Sequence, residues 1–273
     1  MMGFSWIIPA LAGALMGAML VFPRQAAAAA LQALGDFSIS VLPGLLPFSA
    51  CALLITAGRT LPLSLLTVLA LPGGSPTGAR LFRDAGLPPS AARKIAARTG
   101  NMSPMFFLYT LSAWLGDPRK GRLLLASHLG AAMLAGCFFR GGHRDKIKLP
   151  SLTVPDALTQ SAQAMLGAAA CASLGAVGAR MLGCALPGLP PGMLASLQSL
   201  LEITSGMKAL TALSAPLPLL AGFTGFTGLS ILLQNAAFWQ KSGLSLPALM
   251  KIALLRAMLA FLLCTALEHL AML

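Results

Sequence analysis

The chain is poor in charge. Only 10% of its 273 residues are Asp, Glu, Lys or Arg, 57% are hydrophobic, and the mean hydropathy is +0.81. A soluble globular chain carries about 25% charged residues, so these few cannot cover a water-facing surface. That excludes an ordinary soluble domain and predicts an all-α polytopic membrane protein. At about 20 residues per span, the length allows seven or eight membrane segments and no sizeable soluble domain. Acid is scarcest, with 7 Asp+Glu against 19 Lys+Arg and a net charge of +12. The basic residues cluster between apolar runs without interleaved aromatics, so they read as a positive-inside bias rather than a nucleic-acid surface.

Metal and redox motifs are missing too. The 5 cysteines (Cys51, Cys137, Cys171, Cys184, Cys264) lie within or beside apolar runs and form no C-x-x-C pair. They read as small buried hydrophobes, with neither disulfide nor metal expected. His128 sits inside an apolar run, His143 in a basic loop and His269 near the C-terminus, and no HExxH occurs. No catalytic residue is expected, and no cofactor beyond a coupling Na+ or H+. Residues 1–23 could mimic a signal peptide, but the basic n-region is missing, so an uncleaved first span is expected.

Charges partition the rest. Phe4 to Val21 is the first span, and the alanine-rich stretch Arg24 to Asp36 reads as an interfacial helix. Phe37 to Gly58 is the second span, closed by Arg59. Thr60 to Ala79 carries Pro62, Pro72, Gly73, Gly74 and Pro76, which argues against a straight helix. Folded as a re-entrant hairpin, each arm of about ten residues reaches about 15 Å, half of a hydrocarbon core of ~30 Å. After a basic loop from Arg80 to Arg98, Thr99–Gly116 and Leu123–Phe139 span, separated by the charged turn Asp117 to Arg122. A second basic loop runs from Arg140 to Lys148, and Ala157–Ala179 spans. Met181 to Leu213 is broken by Pro187, Pro190, Pro191 and Gly206, and reads as a second hairpin. Leu219–Gln240 and Leu246–Leu267 complete about seven spans.

The two halves match. TGAR (Thr77 to Arg80) recurs as SGMK (Ser205 to Lys208), an offset of 128. Thr99-Gly100 before Trp114 recurs as Thr224-Gly225 before Trp239, an offset of 125. Residues 1–36 therefore precede repeat one (37–148) and repeat two (149–273), each reading span, hairpin, span, span. With the N-terminus cytoplasmic and both hairpins returning to the side they left, thirteen basic residues face inward. These are Arg59, five from Arg80 to Arg98, four from Arg140 to Lys148, and Lys241, Lys251 and Arg256. Five face outward: Arg24, Arg119, Lys120, Arg122 and Arg180. The halves are then inverted, with two oppositely oriented re-entrant hairpins, an architecture of many secondary transporters.

GGSPTGARLF, TGNMSPMFFLYT, SHLGAAMLAG, LEITSG and GFTGFTGLSILLQ resemble the sporulation integral membrane proteins of the YlbJ/SpoVV type, over about residues 30–270. That group falls within the nucleoside-recognition Gate-domain proteins, which look similar to concentrative nucleoside transporters. The resemblance implies a transporter fold, a role in endospore formation, and dipicolinate or a nucleoside-like solute as cargo. The chain departs from the family's pattern at Gly74 and Asn101.

The candidate substrate-binding residues fall into four groups. The turn Gly73, Gly74, Ser75, Pro76, Thr77 and Gly78 allows close backbone approach and starts a helical arm with free N–H groups; its bland reading is small-residue helix packing. Thr99, Asn101 and Ser103 cluster at a helix start, where capping is the competing role. Glu202, followed by Thr204, Ser205 and Gly206, is the only acid deep in an apolar region. A carboxylate there costs about 3 kcal/mol unless protonated, paired or solvated, and Lys208 is its expected partner if the role is structural. Thr224, Thr227, Ser230 and Gln234 follow threefold and fourfold spacing and share one face of a helix, for a cavity or for interhelical hydrogen bonds.

The expected function is a secondary transporter or facilitator for a small polar or anionic solute, not an enzyme, in a bacterial cytoplasmic or sporulation-derived membrane. Its partners are the solute and the lipid bilayer, with room for a homo-oligomer and no nucleic acid. Two alternatives stand beside it. One is a non-transporting subunit of a membrane complex in spore formation. The other is an intramembrane lipid-diphosphate phosphatase, which needs a pair of glutamates beside its arginine where this chain offers only Glu202.

Overall fold

Two helical rods of more than thirty residues frame the molecule in the computed structural model, which describes residues 7–141 and 146–271. The beginning of the expected first span, His143 and Arg144 lie outside the described residues. The first rod is α2 (Pro23–Asp36), a π-helical turn (Phe37–Val41) and α3 (Leu42–Thr56). It follows α1 (Ile7–Val21). The second rod is α9 (Val154–Ala185), which starts at a capping box between Thr153 and Asp156. Ala26 packs with Val177 and Met181, and Leu45 with Ala164 and Met165, so the rods run antiparallel. The alanine-rich stretch therefore runs on into α3 as one continuous rod. Alanine is the strongest helix former, nothing before Phe37 stops the helix, and the short side chains let α2 lie close to α9.

Between the rods the chain makes two helical hairpins. The first is α4 (Leu63–Ala70) and α5 (Gly74–Phe82), with arms of 8 and 9 residues. The second is α10 (Pro191–Leu201) and α11 (Ile203–Ala212), with arms of 11 and 10 residues, joined at Glu202. At 1.5 Å per residue these arms reach about 12–17 Å.

Each hairpin is followed by a helix that breaks midway. The first comprises α6 (Pro89–Thr99), an irregular step at Gly100 to Ser103, a π-helical turn (Phe106–Leu111) and α7 (Ser112–Leu115). The second comprises α12 (Leu217–Phe226), a step at Thr227 and Gly228, and α13 (Leu229–Trp239). The segment expected as a basic loop from Arg80 to Arg98 is thus largely helix: Pro89 sits in its first turn and Ala91, Ala92, Ile95 and Ala96 form a buried stripe. The repeat register also changes. The second break falls at Thr227-Gly228, so Thr99-Gly100 and Thr227-Gly228 are 128 positions apart, the same offset as Thr77 and Ser205. Unbroken helices close each half: α8 (Pro118–Cys137) and α14 (Leu246–Ala271).

Among the described residues, 4 helices can cross a membrane by length and composition: Pro23–Thr56, Val154–Ala185, Leu217–Ser242 and Leu246–Leu270. α8 has the length, but its first five residues carry Arg119, Lys120 and Arg122. One end of the molecule is tied by a short antiparallel strand pair, β1 (Thr60–Pro62) with β2 (Lys146–Lys148), and by the Gly58 N–H donating to the Pro150 carbonyl at 2.9 Å. Lys241 bonds Asp84 at this end, at 2.7 Å. Arg24 and Arg180, at the start of α2 and near the end of α9, lie at the other end.

Candidate functional site

Both hairpin turns and both helix breaks converge on one cavity between the rods. Its polar lining is Ser75, Ser103, Glu202, Thr204, Ser230 and Gln234, and its cavity volume is about 40 Å³. Ser75 comes from the first turn, Ser103 from the first break, Glu202 and Thr204 from the second turn, and Ser230 and Gln234 from the helix resuming after the second break. Phe37 and Val41 of one π-helical turn and Phe106 of the other supply apolar walls, with Leu45, Met102 and Ile231. The two π turns touch, since the Thr110 hydroxyl donates to the Ser40 carbonyl at 3.2 Å.

Small residues allow this convergence. Gly74 has φ +55°, and a Cβ there would lie 2.6 Å from the Ser103 amide nitrogen. The Ser75 N–H donates to the Asn101 carbonyl at 2.6 Å, binding the first turn to the first break. The second turn and second break pair likewise: Gly228, at φ +80°, would place a Cβ 3.1 Å from the Ile203 nitrogen.

Glu202 is 3% exposed and caps α11. One carboxylate oxygen accepts from the Thr204 N–H at 2.9 Å; the other accepts from the Ser205 N–H at 2.7 Å and the Ser205 hydroxyl at 2.6 Å. Helix N–H groups and the positive end of the dipole therefore stabilise its charge. Lys208 is not its partner. Six residues on, Lys208 is turned about 240° around the helix, and its ammonium pairs with Asp36 at 3.0 Å.

The other candidate residues divide by role. Gly73 and Pro76 shape the first turn, where Thr77 bonds back to the Gly73 carbonyl at 3.1 Å. A Cβ on Gly78 would lie 2.7 Å from the Thr99 carbonyl oxygen, so that glycine lets α5 meet α6. Gly206 is likewise pressed on Ser199 of α10. Thr99 bonds back to Ile95 at 2.9 Å, and Asn101 donates to the Arg98 carbonyl at 2.6 Å. The polar stripe of the second half does not stay on one face. Thr227, at φ +70°, ends α12, so the helix stops before Ser230. Thr224 back-bonds to Ala221 at 3.0 Å, and of the stripe only Ser230 and Gln234, four apart on α13, reach the cavity.

Three further polar residues belong to this centre. Asn235 donates to the Ser75 hydroxyl at 3.1 Å. His128 of α8 accepts the Met102 N–H at 3.1 Å, and Arg256 of α14 donates to the Gly100 carbonyl, so side chains satisfy both faces of the first break. Arg256, counted above among inward-facing charges, is 2% exposed and lies in mid-helix. Each of the three is a polar residue inside an apolar run, which is the signal that marks it. Ser230 Oγ and Gln234 Nε2 are buried with no protein partner, and both belong to residues lining the cavity. No Lys, Arg or His lines it among the described residues.

Outside the spans, Asp84 anchors the first hairpin. Burial alone would raise its carboxyl, but the hydrogen bond from Lys241 and the charge of Arg83 outweigh this and hold it below its ordinary value. No family model, curated protein or solved structure matches the chain.

Proposed function

We propose that the chain is a secondary transporter or facilitator for a small polar solute, which it binds in the central cavity. The observation carrying this reading is the cavity itself: two hairpin turns and two helix breaks bring Ser75, Ser103, Glu202, Ser230 and Gln234 to one place. Broken backbone is tolerated at membrane depth where it is buried in protein or lines a cavity, and half-helices meeting at such a site are how many transporters hold their cargo. In this reading the hairpins are re-entrant, because their arms are half as long as a bilayer core is thick. About seven spans then surround two inverted halves, and the end carrying Arg59, Arg93 and Lys241 faces the cytoplasm.

The lining narrows the solute class. A carboxylate with no cation beside it repels a dianion, which disfavours dipicolinate. Glu202 accepts hydrogen bonds, the Gln234 amide donates them, and the Phe37 and Phe106 side chains offer apolar contact to a ring. A neutral, hydrogen-bonding ring compound of nucleoside type matches the lining chemistry best, and the cavity of about 40 Å³ has to widen to admit it; the coupling ion is Na+ or H+ and, by the family resemblance, the setting a sporulation membrane. The test is uptake into proteoliposomes of nucleosides, dicarboxylates and dipicolinate, with and without a sodium or proton gradient. Nucleoside uptake lost in Gln234→Ala is expected. Absence of uptake for all of them, together with co-purification of a fixed partner, overturns the reading in favour of a non-transporting subunit.

A further inference from the structure

A second hollow of about 690 Å³ opens on the other side of α11, between α2, α9, α10 and α11. Its chemistry is opposite to that of the central cavity. Arg24, Arg180, Lys208, Gln25, Gln32 and Gln198 provide its donors, no acidic side chain lines it among the described residues, and the remainder is alanine apart from Ser205. The short alanine side chains are what leave the space open. Lys208 is already paired with Asp36, but Arg24 and Arg180 have no acidic partner among the described residues. The antiparallel rods set these two arginines opposite each other, because Ala26 packs against Val177.

We propose that this groove is a binding site for a carboxylate or phosphate group, held between the Arg24 and Arg180 guanidinium groups with glutamine amides as secondary donors. A guanidinium presents paired N–H donors that match either anion bidentately. Gln25 and Gln32 lie seven residues apart on one face of α2, so the wall of the groove offers amide donors along two turns. Thr204 lines the cavity and its neighbour Ser205 lines the groove. The first turn of α11 is therefore the partition between an anion-attracting compartment and an anion-repelling one. The anion can belong to a free solute or to a lipid headgroup, and the recognition chemistry is shared.

The experiment uses the purified full chain and reads its thermal midpoint. Inorganic phosphate raises the midpoint saturably in wild type, by mass action on the folded state, and the Arg24→Gln/Arg180→Gln double variant loses at least tenfold in apparent phosphate affinity. In phosphatidylcholine nanodiscs, added phosphatidylglycerol that raises the midpoint and suppresses the phosphate response identifies the headgroup as occupant. A phosphate response that persists in phosphatidylglycerol identifies a free anion. Equal responses of wild type and double variant, or none from either probe, overturn the proposal. Phenylglyoxal labelling of wild type needs no variant: phosphate shields Arg24 and Arg180 but not Arg93, and equal labelling with and without phosphate also overturns it. None of these readouts depends on transport through the central cavity.

Discussion

Asn235 donates a hydrogen bond to the Ser75 hydroxyl at 3.1 Å, across 160 positions of sequence, and so joins the first hairpin turn to a helix of the other half. Both residues are buried, at 4% and 7% exposure. Asn235→Leu removes the donor and leaves Ser75 unpaired, which costs about 1–3 kcal/mol. The thermal midpoint should fall, and Ser75→Ala in the same chain should recover part of the loss. Equal midpoints for wild type and Asn235→Leu would mean that the bond carries no weight.

Glu202→Gln is expected to destabilise the second hairpin. Glutamine turns an N–H₂ toward donors that now bond to the carboxylate, and leaving buried donors unsatisfied costs about 1–3 kcal/mol. Lys208→Met only breaks an exposed pair with Asp36, worth about 0–1 kcal/mol. The two changes share no partner, so their effects should add to within about 0.5 kcal/mol. Rescue of Glu202→Gln by Lys208→Met in thermal unfolding would contradict this geometry.

Gly78→Ala should loosen the first hairpin from α6. The new methyl would lie 2.7 Å from the Thr99 carbonyl oxygen and 2.8 Å from the Thr99 Cβ, and backbone cannot move aside cheaply. Overpacking of this kind costs about 1–3 kcal/mol. Gly86→Ala is a control for strain without crowding, since its φ is +60° and nothing lies within 4 Å of a Cβ there. Hydrogen exchange of α5 amides should rise in Gly78→Ala and stay unchanged in Gly86→Ala.

Stability should depend on Asp84 at acid pH. Its carboxyl titrates below the ordinary 3.8 in the folded chain, so between the two values the unfolded chain binds more protons. The contribution is complete above about 3.8 and disappears as pH falls through the lower, folded value. Lys241→Met removes the strongest hydrogen bond that holds the carboxyl down. Its midpoint should therefore lie below wild type at pH 6 and approach wild type as pH falls through the folded value.

The two ends of the bundle should label from opposite sides of a membrane. Arg59→Cys and Arg93→Cys belong to the end tied by the strand pair, and Arg180→Cys to the other. A membrane-impermeant thiol reagent, with the native cysteines replaced, should modify the first two from one side and the third from the other. Labelling of Arg59→Cys and Arg93→Cys from different sides would remove the re-entrant reading of the first hairpin.

Much was legible from local chemistry. Ten per cent charge announced a membrane-type helical chain, and the proline and glycine clusters located both hairpins, because backbone that cannot continue a helix must turn wherever it lies. What the chain order could not convey was which polar residues share a space. Thr224, Thr227, Ser230 and Gln234 keep helical spacing, yet the positive φ of Thr227 and Gly228 breaks the helix, and only the last two reach the cavity. Lys208 is six residues from Glu202 but bonds to Asp36, 172 positions away. Asn235 and Ser75, and Arg256 and Gly100, meet only after the halves pack. Periodicity reports the angle of a side chain around its own helix. Which neighbour fills the space it faces is decided by tertiary packing.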